Sequence, residues 1–415
     1  MALIQSAKVS HIVSPRKRKS QNIAAKVAFA KLWRVWWVAL WWIVYGYFLW
    51  RWRPREAREE APAPKEATEG YFHAENSAGR TLSVSILIPV RNEAGGLSRL
   101  LETLEKESFP ILEVLIIDDH STDGTAQVIE AWRSRMHFPM YYLENAGIGK
   151  KAALLTGLRA ARGEIIVTLD ADTVPERGAL ERLVRPFRSA AVQMGAAYVR
   201  FWDGAAYGQG DFWRQFLLAF QALEMAGILA LTAGSWQRGE PLTVNGAFLA
   251  YRREAFEAVG GWGSAPHPGG DDEFLMRRIY QRYGAAALVF SGAVAETRPA
   301  LSWSEFWHQR RRWLSKERYA PLSRTQAGLL LLGLTHLLFW GLLFSSPTWA
   351  IAHLIVTGLL QASIIEAGRR AMKLPATLWA WYGLAQLGYP VYVVALGILL
   401  WKREFQWRGR KYKTR

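Results

Sequence analysis

Asp170 and Asp172 stand one residue apart at the end of an apolar run, in the stretch EIIVTLDADT at 164–173. Two carboxylates so placed form a hard oxygen site. Mg2+ or Mn2+ carrying a diphosphate suits it, because Mg2+ usually binds through one or two carboxylates plus substrate phosphates. A solvated turn after a strand would present the same pair. Asp118 and Asp119 close an earlier apolar run, ILEVLII at 111–117, and the Ser, Thr and Asp residues that follow can cap a helix. Gly147-Ile148-Gly149 leads into Lys150 and Lys151. Such a turn into a helix could aim backbone N–H groups and an ammonium at phosphate, although the spacing is not that of a Walker A loop. Asp271 and Asp272 precede a helix expected from Glu273 to about Tyr283. The helix N-terminus would keep an acid there ionised, whereas a neighbouring acid works the other way. The chain has no Cys, which excludes thiolate metal sites, disulfides and thiol catalysis, and its 8 His show no metal-ligand spacing.

The elements that must hold these residues alternate. Residues 82–90, LSVSILIPV, read as a strand, followed by Arg91-Asn92-Glu93 and a helix around 95–107. A strand at 111–117, a helix at about 124–135, a short strand at 140–143 and a helix to about 161 lead to the strand before Asp170. Strands alternating with helices of this length indicate βαβ units and a mainly parallel sheet, with ligands beyond the carboxyl ends of the strands. Residues 212–232 are long and apolar but carry Arg214, Gln215, Gln221 and Glu224. Charges inside a span are expensive, so this stretch reads as a helix packed on the catalytic domain.

The composition points to a membrane. The chain has 415 residues, 51% of them hydrophobic, with 21 Trp and a net charge of +17. Trp favours membrane–water interfaces. The basic residues cluster at 16–19, 308–318 and 402–415 beside apolar segments, so anionic lipid headgroups are the expected partner and nucleic acid is not. The organisation that follows is a basic segment at 1–31, a transmembrane or interfacial helix at 32–52 and a linker at 53–80. A catalytic domain at 81–300, an interfacial amphipathic helix at 301–320, transmembrane segments at 327–401 and a basic tail at 402–415 complete it.

The motifs ILIPVRNEA, IIDDHSTDGT, GKKAAL, LDADT, LTVNGAFLAYRREAF, GGDDEFLMRRI and QRRRW occur in that order. In that order they resemble the family-two inverting glycosyltransferases of the GT-A fold, over about residues 82–318. QRRRW, Gln309 to Trp313, is similar to the Gln-x-x-Arg-Trp motif of membrane-bound members. His120 departs from the family pattern, which usually has Gly there, and Gly270-Asp271 stands where the usual acidic pair begins with Glu.

The resemblance implies an α/β GT-A catalytic domain, with a Rossmann-like, mainly parallel sheet and flanking transmembrane helices. It implies donor contacts from Glu93, Asp118, Asp119, Lys150, Lys151, Asp170 and Asp172. Within that set, Asp172 is the direct metal ligand, and Asp170 contacts ribose or a metal-bound water. Asn245, Gly246, Asp271, Gln309, Arg310, Arg312 and Trp313 would form the acceptor and diphosphate side. Asp272 would be the catalytic base. Arg310, Arg312 and Trp313 have two explanations, a lid over the site or an anchor in lipid, and the motif favours the lid. The expected function is transfer of a sugar from a nucleotide diphosphate sugar to a hydroxyl of a lipid or lipid-linked acceptor, with Mg2+ or Mn2+. A processive polysaccharide synthase and a non-catalytic scaffold that binds a sugar nucleotide are the alternatives. The protein would be a multi-pass membrane protein with a cytoplasmic catalytic domain. One span before that domain and three after it set both basic termini against the positive-inside tendency. Either 32–50 lies in the interface, or 376–401 is a re-entrant pair broken at Gly388 and Pro390, or the rule fails.

Overall fold

A computed structural model describes residues 36–55, 82–202, 204, 207–263, 269–317, 324–401, 404–407 and 410–413. The basic cluster at 16–19, nearly all of the expected linker, and Arg318 lie outside the described residues. The chain divides into Met1–Tyr47 and Phe48–Arg415. In the first unit the described residues are helical and begin helix α1 (36–51), with Trp36, Ile43 and Tyr47 exposed.

The second unit runs β1 (Val84–Val90), α2 (Leu97–Glu105), β2 (Glu113–Asp118), α3 (Thr125–Arg133), β3 (Met140–Glu144), α4 (Lys150–Ala160) and β4 (Ile165–Leu169). There follow β5 (Thr173–Pro175), α5 (Ala179–Val184), β6 (Met194–Phe201), α6 (Phe212–Gln237), β7 (Phe248–Arg252), α7 (Arg253–Ala258), α8 (Asp271–Tyr283) and β8 (Leu288–Thr297). Four helices close the order: α9 (Trp303–Glu317), α10 (Arg324–Ser345), α11 (Pro347–Ala371) and α12 (Trp379–Trp401). The basic tail holds an antiparallel pair, β9 (Glu404–Trp407) and β10 (Arg410–Lys413).

One eight-stranded sheet in the order β3-β2-β1-β4-β7-β6-β8-β5 carries the domain. β1, β2, β3 and β4 pair in parallel, while β7 is antiparallel to β4 and to β6, and β5 is antiparallel to β8. The expected parallel half is therefore present, and β7 and β5 make the whole sheet mixed. β2 and β4 are buried along their full length, because helices cover both sheet faces. In α2 the spacing Leu97, Leu100, Leu101, Leu104 makes a single buried stripe.

α6 is apolar on all sides, and 83% of its most apolar stretch is buried within the protein. That fits the expectation of a helix packed on the domain, although length and composition alone would let it span a bilayer. It packs closely on α11: a Cβ at Gly368 would fall 1.9 Å from the carbonyl oxygen of Ala226, so only glycine fits that crossing. α11 and the stretch Ala376–Leu399 are also long and apolar enough to cross a membrane, and Leu330–Ser345 is a shorter apolar helix. α12 continues through Pro390. The break that a re-entrant pair at Gly388 and Pro390 requires is therefore not found.

Candidate active site

The carboxyl ends of β1, β2, β4, β6 and β8 lie along one edge of the sheet, together with the start of the reversed strand β7. Asp118, Asp119, Asp170, Asp172, Asn245 and Gly246 are all brought there by this topology. Asn245 and Gly246 were expected on the acceptor and diphosphate side. They lie at the turn that enters β7, where Asp170 N–H donates to the Ala247 carbonyl at 2.9 Å.

The loop after β1 is stitched to the loop after β2. Asn92 N–H donates to Ser121 Oγ at 2.9 Å, Thr122 N–H to Asn92 Oδ1 at 2.8 Å, and Glu93 N–H to Thr125 Oγ1 at 2.9 Å. His120 sits between them with φ 59°, the left-handed region that glycine takes without strain, and its ring Nε2 is 2.9 Å from the Gly147 carbonyl. Asp118, which ends β2, and Asp119, which follows it, divide their work. Asp118 accepts from Ser121 N–H and Oγ–H and from Tyr142 OH, so it shapes the turn. Burial, with the Asp118 carboxylate adding to it, pushes the Tyr142 hydroxyl up to about 12. Asp119 accepts from Asn145 Nδ2 at 2.8 Å and from Gly149 N–H at 2.9 Å, which fixes the glycine turn before Lys150.

Lys150 joins the two halves of the site. Its Nζ is 2.7 Å from Asp170 Oδ1, 3.4 Å from Asp271 Oδ2 and 3.5 Å from the Gly246 carbonyl. Burial pulls its pKa down, but Asp170 and Asp271 outweigh that and hold it above the ordinary lysine value. Burial pushes Asp271 up, with Asp272 and Asp170 adding to the shift against Lys150. Lys151 is pulled down by burial, against Asp271 and Asp272, and its ammonium lies over the Phe274 ring at 4.9 Å. Asp271 and Asp272 begin α8; Asp271 is buried and Asp272 half-buried. Asp272 Oδ1 accepts from Glu273 N–H at 2.8 Å, and a Cβ at Gly246 would meet Asp272 Cβ at 2.7 Å.

Among the described residues no group of three or more His, Cys, Asp or Glu could hold a metal ion by itself. Asp170 and Asp172 nevertheless fit a divalent ion brought in on phosphate oxygens, since both are hard ligands and few protein ligands are needed. Asp172 Oδ1 faces Thr297 Oγ1 at 3.5 Å, and no ion pair engages it among the described residues.

α9 is the helix expected to be interfacial. Phe306 is fully buried and meets Phe220 of α6 at 6.0 Å and Tyr392 of α12 at 5.8 Å between ring centroids. Phe306 is thus covered by protein, because α6 and α12 offer it an aromatic surface. Arg310 was expected on the acceptor and diphosphate side. It is 3% exposed, ion-paired to Glu224, and donates to Tyr392 OH at 3.1 Å and to Gln309 Oε1 at 2.6 Å. Its charge is paired with the lone acid of α6, and its guanidinium lies over the Trp313 ring at 4.4 Å. Trp313 stacks on Phe201 at 6.0 Å with an interplanar angle of 10°, and Phe201 is in register with Thr297. Trp313 thereby reaches the strand ends beside Asp172. Arg312 is half-buried on the same helix. Tyr142, Asn145 and Thr297 were not foreseen; Asn145, a polar residue between β3 and the glycine turn, was the one with a visible signal.

Residues 85–260 match the model of the family described as Glycosyl transferase family 2. The chain is 27% identical over 246 residues to the probable glycosyltransferase YdaM of Bacillus subtilis, covering 58% of this chain and 56% of that protein. It is 29% identical over 238 residues to a beta-monoglucosyldiacylglycerol synthase of Synechocystis, covering 55% and 47%. The match spans about half the length of these curated relatives. Among solved structures, the mannosyltransferase PcManGT of Pyrobaculum calidifontis, in complex with GDP-Man and Mn2+, superposes with a TM-score of 0.53. It is 20% identical and covers 88% of this chain and 96% of that one. The fold is therefore GT-A, and apolar helices follow the domain.

Proposed function

We propose, from a family-two glycosyltransferase domain at residues 85–260, that this protein is a membrane-bound inverting glycosyltransferase. It moves a sugar from a nucleotide diphosphate sugar to a hydroxyl of a lipid or lipid-linked acceptor. The observation that carries the reading is the Lys150 bridge, which holds Asp170 of the donor side against Asp271 of the acidic pair on α8. Asp118, Asp119 and Glu93 bound the nucleoside end, and Lys150 and Lys151 face phosphate. Asp170 and Asp172 would hold Mg2+ or Mn2+, with Asp172 the direct ligand, and the metal would neutralise charge on the departing diphosphate.

Asp272 is the base. It takes the proton of the acceptor hydroxyl as that oxygen bonds to the anomeric carbon; the bond from that carbon to the diphosphate oxygen breaks, and the diphosphate leaves with the electron pair. Half-burial of Asp272 supports this choice over Asp271, which is buried against Lys150. Trp313, Arg312 and Gln309 border the acceptor side. The lipid acceptor is supported by the apolar helices after the domain and by a relative named beta-monoglucosyldiacylglycerol synthase. The catalytic domain then faces the cytoplasm, where nucleotide sugars are available.

The test is a donor screen that follows nucleotide release from the purified protein with membrane lipid extract. Release that requires lipid, with one sugar added per acceptor, is expected. Long products would favour a polysaccharide synthase, and nucleotide binding without turnover would favour a scaffold.

A further inference from the structure

We infer that Lys150 is the resident cation of this site: it neutralises Asp170 and Asp271 until a divalent metal arrives, so that metal and nucleoside diphosphate bind together and metal alone binds poorly. The inference rests on the reading of Asp170 and Asp172 as the metal and diphosphate site.

Three acceptors surround one ammonium: Asp170 Oδ1 at 2.7 Å, Asp271 Oδ2 at 3.4 Å and the Gly246 carbonyl at 3.5 Å. The Lys150 side chain is 15% exposed, so water cannot replace these partners at little cost. A lysine ammonium has three donors, and three acceptors are present. Lys151 also feels Asp271 and Asp272, but its ammonium lies over the Phe274 ring.

A divalent ion on Asp170 and Asp172 competes for the carboxylate that Lys150 already holds, and two cations so close repel each other. Without nucleotide, metal entry strips Lys150 of its nearest partner and leaves it Asp271 and a carbonyl. With a nucleoside diphosphate present, phosphate oxygens take the place of Asp170 at the ammonium, and the conflict is removed. Metal and nucleotide are therefore coupled through one side chain, and the coupling must be reciprocal. Asp271 keeps Lys150 within reach in either state, which gives the buried acid on α8 a role apart from proton transfer.

The experiment uses the full chain in detergent and measures Mn2+ affinity from the electron paramagnetic resonance of free Mn2+, alone and with UDP or GDP. In the unaltered protein one of these nucleotides should strengthen Mn2+ binding by about tenfold or more. Lys150→Met should bind Mn2+ alone about tenfold more tightly, lose most of the enhancement by nucleotide, and bind the nucleotide less well. The two affinities move in opposite directions, whereas general damage to the site would weaken both. Because Lys150→Met leaves the buried Asp271 carboxylate without its partner, Lys150→Met combined with Asp271→Asn serves as the second variant, with the same outcome expected. Mn2+ affinity unchanged or weakened in both variants overturns the inference while leaving the donor site standing. If the unaltered protein binds neither nucleotide with Mn2+, the donor-site reading fails and the inference falls with it.

Discussion

Gly246 sets the tolerance at the residue scale. A side chain there would press on the Cβ and Oδ2 of Asp272 at 2.7 and 2.9 Å, and α8 could not keep its first turn in place. Gly246→Ala is expected to lower kcat by about a hundredfold, the usual penalty for displacing a reacting group by roughly 1 Å. Nucleotide affinity should stay near normal. Parallel kcat and nucleotide-titration measurements check this, and equal losses in both would show a wider collapse. The acids themselves were legible in the sequence because each ends a strand or begins a helix. Their partners were not. Tyr142, Asn145 and Thr297 meet Asp118, Asp119 and Asp172 only because β3 lies beside β2 and β8 beside β5. Strand order of that kind leaves no trace in local spacing.

Between elements, the strand-end edge is tied to the helices by a chain of ion pairs. Arg99 pairs with Glu296, Glu296 with Arg200, Arg200 with Glu176, and Glu176 with Lys373 in the turn between α11 and α12. The outer pairs involve exposed side chains and contribute little. Arg200 is the centre: it is 9% exposed, bridges both carboxylates at 3.0 Å, and also donates to the Met372 carbonyl. Arg200→Met would leave two acids facing each other and should cost about 3–5 kcal/mol of stability, as loss of one partner from a buried pair does. Thermal or denaturant unfolding in detergent measures it. At the end of the same strand, Trp313→Ala removes the stack on Phe201 and should reduce turnover while the protein stays in the membrane fraction. Full activity in that variant would remove Trp313 from the site. The sequence betrayed α6 as a packed helix through Glu224, since a lone acid in an apolar stretch needs a partner. That the partner is Arg310, taken from the helix expected to lie in lipid, followed only from the packing of α9 on α6 and α12.

For the whole molecule, the parallel half-sheet and the helices after the domain were readable from periodicity and apolar length. The reversal at β7 was not, because a buried strand carries the same apolar signature in either direction. That reversal brings Gly246 to the edge where β4 ends, and so sets α8 and its acids beside the donor carboxylates. On the proposed reading, donor binding and proton removal belong to different elements that meet through Lys150, and they should fail separately. The most direct test compares Asp272→Asn with Asp271→Asn, measuring sugar transfer to lipid extract and affinity for the nucleoside diphosphate with Mn2+ in each. Asp272→Asn should lose on the order of a hundred- to ten-thousand-fold in transfer and keep its nucleotide affinity, since asparagine holds the shape but accepts no proton. Asp271→Asn should lose less. Near-normal transfer by Asp272→Asn, or a heavier loss in Asp271→Asn, would contradict the account.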